Sequence, residues 1–178
     1  MKQICLMLGV GFGTPHRRLL SPTSAPEDET KWITLDGNEG CKPDKLFDLE
    51  LLEDGGALPF PHGTFDEVHA YEVLEHFGRQ GDCRGLFATF RALWAVLKPG
   101  GLLMGTCPSL KSEWLWGDPG HTRVISSGTM VFLTRGHYEQ LGRTVSSDYR
   151  SLVDPCWWEI QHSEDDGKNY VFALKKVS

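Results

Sequence analysis

The sequence has no long apolar run and no paired cysteine motif, and these absences exclude several classes of protein. Its N-terminal stretch MKQICLMLGVGFG is apolar, but glycines interrupt it well before the roughly 20 residues of a transmembrane helix. It also lacks the small-residue cleavage site of a secretory signal. The five cysteines include no Cys-x-x-Cys pair, so neither a zinc knuckle nor a disulfide framework is predicted. We expect a cytoplasmic protein with reduced thiols and no membrane association.

Basic residues are fewer than acidic ones, and this deficit argues against a nucleic-acid partner. The chain has 18 lysines and arginines against 24 aspartates and glutamates, a formal net charge of −6. A broad basic face for binding a phosphate backbone is therefore not expected. The 178 residues, 40% of them apolar, suffice for one core but not for two. We expect a single domain over residues 1–178.

Strand patterns recur along the chain. The run QICLML at 3–8 is continuously apolar and ends at glycines, which is typical of a buried parallel strand. Further strands are predicted at 31–36, 44–49, 65–71 and 102–107. Two β-rich runs around Asp-Asp-Gly near the C-terminus indicate a hairpin. Together these patterns predict a mainly parallel α/β sheet, to which the hairpin adds an antiparallel edge.

Helices are predicted between these strands. Apolar residues recur at helical spacing from Asp82 onward, and KPGG at 98–101 is interpreted as the turn that ends this helix. Thr14 can begin a short helix after the first strand. Two more helices are predicted, a short one from about Val73 and a longer one over 127–141.

Three glycines follow the first predicted strand directly. Gly9, Gly11 and Gly13 allow the backbone to turn tightly and to approach a ligand without a Cβ atom in the way. Their spacing is GxGxG, whereas the dinucleotide fingerprint GxGxxG requires glycine at the position of Thr14. The loop by itself is a weak signal, because glycine is common in turns.

Acidic residues end two of the predicted strands. Asp36 ends the second, where a carboxylate can accept hydrogen bonds from ribose hydroxyls. Asp48 ends the third, where a carboxylate can accept a hydrogen bond from an adenine amino group. In open α/β sheets, ligands bind beyond the carboxyl ends of the strands. A glycine loop followed by two such acids is a stronger signal than any one of them alone.

More polar side chains lie where the 65–71 strand passes into the short helix. Glu72, Glu75 and His76 have i, i+3 and i+4 spacing, so a helix would present them on one face. Carboxylate and imidazole side chains are common on helix surfaces, and we expect no metal here.

Four segments resemble successive motifs of the class I S-adenosylmethionine-dependent methyltransferases, especially small bacterial and phage members of the methyltransferase type 11 kind. They are LGVGFG, ITLDGNEGCKPDKLFDL, LPFPHGTFDEVHAYEVLEHF and LWAVLKPGGLLMGTCPS, and they cover about residues 4–108 in register. The series LPF…FDEV…EVLEH…LKPGG is more specific than the glycine loop. The resemblance implies a doubly wound, mainly parallel Rossmann-like sheet of seven strands with an antiparallel C-terminal hairpin.

The resemblance also implies S-adenosylmethionine as the cofactor. By this likeness Gly9, Gly11 and Gly13 would line the methionine part of the cofactor. Asp36 would hold the two ribose hydroxyls. These assignments follow the family's motifs, which this chain matches at the same positions.

The same resemblance extends to the other end of the cofactor and to the reaction. Asp48 and Leu49 would flank the adenine, while Tyr71 and Glu72 would lie at the end of the fourth strand beside the sulfonium. The implied reaction is in-line displacement of the methyl group by an acceptor nucleophile. Because the sulfonium is already reactive, the protein contributes mainly alignment and desolvation.

Tyr71, His76 and His121 are the candidates for catalysis. An oxygen or nitrogen acceptor can require a base, and imidazole titrates near neutrality. His121 lies in DPGHTR, where members of the family often close over the acceptor. The chain has little room for a separate acceptor-binding domain, so a small-molecule acceptor is expected.

Two other functions stay open at this point. A nicotinamide-dependent oxidoreductase fits the glycine loop loosely, but Thr14 and the C-terminal hairpin argue against it. The other is a non-catalytic, methyltransferase-like domain that binds a nucleotide or a partner protein. This alternative is kept because Met7 stands where many family members carry an acid.

Overall fold

A computed structural model describes residues 2–11, 25–26, 29–143 and 146–177 of the chain. Within these residues the strands belong to one seven-stranded sheet. They are β1 (Gln3–Leu8), β2 (Thr30–Asp36), β3 (Lys45–Leu46), β4 (Phe65–Tyr71), β5 (Leu97–Pro108), β6 (Trp158–Asp165) and β7 (Asn169–Lys176). Their spatial order is β3-β2-β1-β4-β5-β7-β6.

The first five strands run parallel, and the C-terminal hairpin is antiparallel to them. β1 pairs with β2 on one side and with β4 on the other, with Leu8 opposite both Leu35 and Ala70. β7 pairs antiparallel with both β5 and β6. The strand order therefore reverses between β1 and β4, which is where open α/β sheets bind their ligands. The predicted fold class is confirmed.

The apolar faces of β1, β4, β5 and β7 form the core together with one long helix. This helix, α1 (Cys83–Val96), begins at Asp82, whose carboxylate accepts a hydrogen bond of 3.1 Å from the Gly85 N–H. The cap satisfies an amide that has no partner within the helix. Fully buried members of the core include Leu6, Val68, Phe90, Leu93, Leu103 and Phe172. Apolar residues at helical spacing in α1 thus meet alternating residues of the strands, as the sequence predicted.

The remaining helices are short. They are α2 (Trp114–Gly117), α3 (Ser127–Val131), α4 (Arg135–Tyr138) and α5 (Arg150–Val153). The prediction of one helix over 127–141 is therefore wrong, since the chain forms two single-turn helices there. The first ends near Phe132, and Thr134 begins the second with extended backbone angles.

Three other local predictions need correction. The segment after β4 forms a turn rather than a helix from Val73. KPGG is not a helix-ending turn, because it lies within β5, which begins at Leu97. The pairing of β4 with β5 is irregular at this point, where the register shifts between Phe65 and Glu67. The strand predicted at 44–49 is only two residues long, and a 3₁₀ helix (Leu49–Leu52) follows it. The helix expected to begin at Thr14 lies outside the described residues.

None of the helices in the described part of the chain has the length and apolar character needed to span a bilayer.

Gly105 in β5 offers a test of core packing. A Cβ atom at this position would overlap the carbonyl oxygen of Ala70 and lie 2.7 Å from the ring of Phe172. We expect Gly105→Ala to lower the free energy of unfolding by about 1–3 kcal/mol, because neighbouring strands must separate. Urea denaturation measures the change.

Gly136 in α4 is the matched control for that substitution. A Cβ atom added there meets nothing within 4 Å, so Gly136→Ala should leave the stability unchanged or raise it slightly. Equal unfolding midpoints for Gly105→Ala and the wild type would contradict the packing described for β4, β5 and β7.

Candidate functional site

The glycine loop leaves β1 at the carboxyl edge of the sheet. Gly9 has a φ of +64° and Gly11 a φ of +62°, the left-handed region that favours glycine. The Gly9 N–H donates to the carbonyl of Leu35 at 2.9 Å. A Cβ atom on Gly9 would lie 2.5 Å from a methyl carbon of Val73, so a larger residue at this position would have to displace that side chain. Gly13 lies outside the described residues.

Asp36 sits beside this loop at the end of β2. Its Oδ2 accepts hydrogen bonds from the N–H groups of Val10 at 2.9 Å and Gly11 at 3.3 Å. Its Oδ1 accepts one from the Asn38 N–H at 2.8 Å. The carboxylate therefore fixes the glycine loop to the end of β2. A carboxylate has about four lone-pair sites, so one further donor can be accepted.

The third strand ends close to the same edge. The Phe47 N–H donates to the carbonyl of Asp36 at 3.0 Å, which brings the two strand ends together. Asp48 is exposed and caps the 3₁₀ helix that follows, accepting from the Glu50 N–H at 3.0 Å. Leu49 is half-buried beside it. The structure thus places Gly9, Gly11, Asp36, Asp48 and Leu49 along one edge.

Tyr71 ends β4 and belongs to a buried hydrogen-bonded chain that the sequence interpretation missed. Its hydroxyl lies 2.8 Å from Nδ1 of His69, whose Nε2 lies 3.0 Å from the Glu67 carboxylate. Because a carboxylate only accepts, Nε2 carries the proton and Nδ1 accepts from the Tyr71 hydroxyl. The three residues alternate in the strand FDEVHAY, so they share one face. This alternation of polar residues in an otherwise apolar strand was the available signal.

Glu72 begins the turn after β4 in an uncommon conformation. Its φ is +52°, although it is not glycine, and its N–H donates to the carbonyl of Thr106 at 2.8 Å. Such a conformation costs on the order of 1 kcal/mol and persists only where its surroundings enforce it. The Glu72 Oε1 atom is buried without a hydrogen-bond partner among the described residues.

Glu75, His76 and His121 come together above this turn. Atoms able to bind a ligand, one from each residue, all lie within 4.8 Å of one another. The imidazole rings of His76 and His121 pack edge to face, with centroids 4.7 Å apart. Since no helix forms here, the predicted helix face does not account for the cluster. Glu75 points into the protein, whereas its neighbour His76 is exposed.

A loop from a distant part of the chain supplies His121. The carbonyl of Glu75 accepts hydrogen bonds from the N–H groups of Thr122 at 2.8 Å and Arg123 at 3.3 Å. Arg123 is itself buried and donates to the Glu53 carboxylate at 2.8 Å and to the carbonyl of Arg79 at 3.1 Å. These contacts fix the loop, so that His121 lies opposite His76.

Burial controls the protonation of Glu75. The side chain is fully buried, and neither carboxylate oxygen has a hydrogen-bond partner in the described part of the chain. Loss of hydration, assisted by the nearby charge of Glu72, raises its pKa to about 8. The thiol of Cys107 lies against the carboxyl and acts in the opposite direction. Burial and the negative charge of Glu75 in turn raise the pKa of Cys107 well above its ordinary value.

An open cleft of about 740 Å³ lies in front of these residues. It extends from the turn after β4 to the segment around α2 and the tip of the C-terminal hairpin. Its lining includes Glu72, His76, Lys111, Trp114, Asp118 and His121. The cleft combines two imidazoles, charges of both signs and one exposed tryptophan. It is therefore suited to a small polar molecule that has an apolar part.

Comparisons with known proteins concern the family and the fold. A family model described as a methyltransferase domain matches residues 6–105. Among curated proteins, none has a significantly similar sequence.

Solved structures with a similar fold include two S-adenosylmethionine-dependent methyltransferases. The one from Archaeoglobus fulgidus has a TM-score of 0.56 and 14% identity, over 98% of this chain and 86% of that one. The one from Mesorhizobium loti has a TM-score of 0.55 and 14% identity, over 98% of this chain and 91% of that one. At such identities the likeness concerns the fold alone.

The buried Glu75 carboxyl predicts a pH-dependent stability. Its pKa is about 8 in the folded protein and about 4.5 when unperturbed, so folding takes up a proton between these values. Its contribution to the unfolding free energy therefore falls by about 1.4 kcal/mol per pH unit as the pH rises through this interval. Glu75→Gln should remove this slope, as measured by urea unfolding across the interval with a chelator present.

Glu159 provides the control for this experiment, because it is an exposed glutamate in β6. Glu159→Gln should keep the pH dependence of the wild type. If Glu75→Gln kept it as well, Glu75 would be ionised in the folded protein.

Proposed function

Because the chain belongs to the class I S-adenosylmethionine-dependent methyltransferase family, we propose that it transfers the methyl group of S-adenosylmethionine to a small-molecule acceptor. One observation carries the proposal. The carboxyl ends of β1, β2 and β4 bring the glycine loop, Asp36 and the Tyr71–Glu72 turn to one edge, next to an open cleft with two imidazoles. We further propose that residues 1–178 act as a single cytoplasmic domain.

The cofactor would lie along the edge from β3 to β4. Gly9, Gly11 and Gly13 would line its methionine part, and a ribose hydroxyl would donate to Asp36. Two observations support the fit. Gly9 and Gly11 hold left-handed conformations that favour glycine, and the Asp36 carboxylate beside them can accept one further hydrogen bond, on Oδ1.

The adenine and the sulfonium of the cofactor would lie beside the other residues predicted to bind it. Asp48 and Leu49 follow β3, where the adenine would lie. Tyr71 ends β4 and Glu72 follows it, at the point where the strand order reverses, which is the place proposed for the sulfonium. The unpartnered Oε1 of Glu72 supports this assignment, because a buried carboxylate oxygen is stabilised by a nearby positive group.

The chain's own side chains would align the acceptor and handle its proton. When bound, S-adenosylmethionine supplies an electrophilic methyl carbon on a positively charged sulfur. His76 and His121 line the cleft, and Nδ1 of His121 lies 3.2 Å from the carbonyl of Leu115. Nδ1 therefore carries the proton, which leaves Nε2 as the basic atom. Tyr71 would help to position the reactants rather than carry a proton, because its hydroxyl is hydrogen-bonded to His69.

The acceptor is proposed to be small. The cleft of about 740 Å³ lies within the range of small-molecule sites. Lys111 and Lys168 line it together with Glu113 and Asp118, and such a mixed lining gives no continuous basic surface for a phosphate backbone.

A non-catalytic nucleotide- or partner-binding domain is the second candidate. Met7 is buried in β1 where many family members carry an acid, and backbone amides already occupy three sites on Asp36. Both features would favour weak binding without turnover. Consumption of the methyl donor in the presence of an acceptor distinguishes the two functions.

Asp36 tests the cofactor site. We expect Asp36→Ala to weaken the binding of S-adenosylmethionine and S-adenosylhomocysteine by about 1–3 kcal/mol, because a charge-assisted hydrogen bond to the ribose is lost. Calorimetric titration measures the affinity, and circular dichroism confirms folding. Asp54, which is exposed, is the control, and Asp54→Ala should bind as the wild type does. Unchanged affinity in a folded Asp36→Ala protein would reject the ribose assignment.

His121 tests the acceptor side of the site. With methyl-labelled donor and a panel of small acceptors, His121→Ala should lower the transfer rate at least about 100-fold and leave the affinity for S-adenosylhomocysteine unchanged. His162 in β6 is half-exposed on the hairpin, and His162→Ala should transfer at the wild-type rate. Equal rates for His121→Ala and the wild type would remove His121 from the mechanism.

A further inference from the structure

Two carboxyl groups, those of Glu72 and Glu75, come together at the turn after β4. Glu72 lines the cleft, whereas the Glu75 side chain is fully buried. The Glu75 carboxyl interacts with the Glu72 carboxyl and with the thiol of Cys107 in β5. We call the two carboxyls the glutamate pair. Two like charges this close together in a buried position are unfavourable, so such a pair tends to keep one proton.

Among the described residues, none places a permanent positive charge against the pair. Arg123 is buried nearby, and its amide donates to the Glu75 carbonyl at 3.3 Å, but its guanidinium binds the Glu53 carboxylate at 2.8 Å. The thiol of Cys107 is only a weak donor. Burial therefore dominates and raises the pKa of Glu75 to about 8, with the charge of Glu72 acting in the same direction.

Two imidazoles are the other titratable groups that face Glu75. One ring nitrogen each of His76 and His121 lies within 4.8 Å of a Glu75 carboxylate oxygen. His121 has partners of its own, since Nε2 lies 3.9 Å from the Asp118 carboxylate and Nδ1 lies 3.2 Å from the Leu115 carbonyl. Imidazole ordinarily titrates at about pH 6.5, so it is not a source of positive charge for a neighbouring carboxyl at higher pH.

The two forms of the proposed cofactor differ by one charge at the place where the pair lies. S-adenosylmethionine carries a positively charged sulfur, whereas S-adenosylhomocysteine, which remains after methyl transfer, carries a neutral one. In the arrangement proposed above, this sulfur lies beside Tyr71 and Glu72 at the end of β4. A positive charge within about 4–6 Å of a carboxyl group favours its ionised form by about 10- to 1,000-fold.

We propose that the glutamate pair distinguishes the methyl donor from the spent cofactor by exchanging one proton. The pair keeps this proton in the empty protein and in the complex with S-adenosylhomocysteine, and it releases the proton to water when the sulfonium binds. After methyl transfer the sulfur is neutral, so the pair takes up a proton again and the spent cofactor is held less tightly. In this role, which rests on the proposed function, Glu75 determines cofactor specificity without touching the reacting atoms.

The pH dependence of binding follows from this exchange. Below the Glu75 pKa of about 8 the sulfonium has to displace a proton, so its affinity rises with pH and levels off above that value. The affinity for S-adenosylhomocysteine lacks this contribution, because a neutral sulfur displaces no proton. The ratio of the two affinities should therefore rise about five- to tenfold between about pH 7 and about pH 9.

Calorimetric titration of the purified protein with each ligand, without any acceptor, measures this ratio across the interval. Repeating the titration in two buffers of different ionisation enthalpy counts the protons that binding releases. We expect S-adenosylmethionine to release up to one proton more than S-adenosylhomocysteine does. The α-amino groups of the two ligands also titrate at about pH 8, so the pH dependence found with Glu75→Gln is subtracted from that of the wild type.

Three variants assign the proton to the pair. Glu75→Gln removes the exchangeable proton, so it should bind S-adenosylhomocysteine but lose the additional pH dependence of the wild type. Glu113 is an exposed glutamate that lines the same cleft, and Glu113→Gln should keep that dependence. His121→Ala removes a titratable neighbour of Glu75, and it should keep the dependence as well.

Difference infrared spectroscopy follows the proton in the wild-type protein and so does not require that Glu75→Gln folds. At about pH 7 the carbonyl stretch of a protonated carboxyl group should be present in the empty protein. It should disappear when S-adenosylmethionine is added and persist when S-adenosylhomocysteine is added.

The outcomes separate the proton exchange from the cofactor assignment. Both ligands could bind with a ratio that depends on pH no more in the wild type than in Glu75→Gln, or the carboxyl band could persist with both ligands. Either result would overturn the exchange and leave the cofactor in place. Loss of the dependence in His121→Ala or Glu113→Gln would overturn it too, by assigning the proton elsewhere. Binding of neither ligand by the folded protein would reject the cofactor itself, and the exchange with it.

Discussion

The backbone carbonyl of Glu75 joins the two segments on which the candidate site depends. It accepts hydrogen bonds from the amides of Thr122 and Arg123, residues that lie far away in the sequence. The guanidinium of Arg123 is in turn held in a buried ion pair with Glu53. Removing one partner of such a pair is strongly destabilising, so this loop has little freedom to move. The position of His121 opposite His76 follows from these contacts.

The sheet places the other half of the site. Parallel strands end at the same edge, and the order β3-β2-β1-β4-β5 puts the glycine loop, Asp36 and Tyr71 at adjacent strand ends. The turn after β4 is tight, because Glu72 takes a left-handed conformation and its amide bonds to Thr106 in β5. That turn directs Glu75 inward and His76 outward. The cost of the conformation and the burial of the carboxylates are concentrated where the ligands are proposed to bind.

Much of the sheet could be predicted from the sequence, because its signals are local. β1 and β4 begin and end where their apolar and alternating runs do, and the hairpin forms around Asp-Asp-Gly. The helix predicted from Val73 does not form because the strained Glu72 and the long-range bonds to the Glu75 carbonyl override local spacing. The helix over 127–141 breaks after Phe132, where Thr134 is extended. The meeting of His121 with Glu75 joins residues 46 positions apart, and no local pattern encodes it.

The central claim is that the edge from β3 to β4 binds a sulfur-containing nucleoside. The most direct test is calorimetric titration of the purified protein with S-adenosylmethionine and S-adenosylhomocysteine, with NAD as the comparison. The account predicts binding of both sulfur nucleosides in the micromolar range and no binding of NAD. A folded protein that binds neither of them would contradict the claim, and binding of NAD alone would assign the glycine loop to a different cofactor.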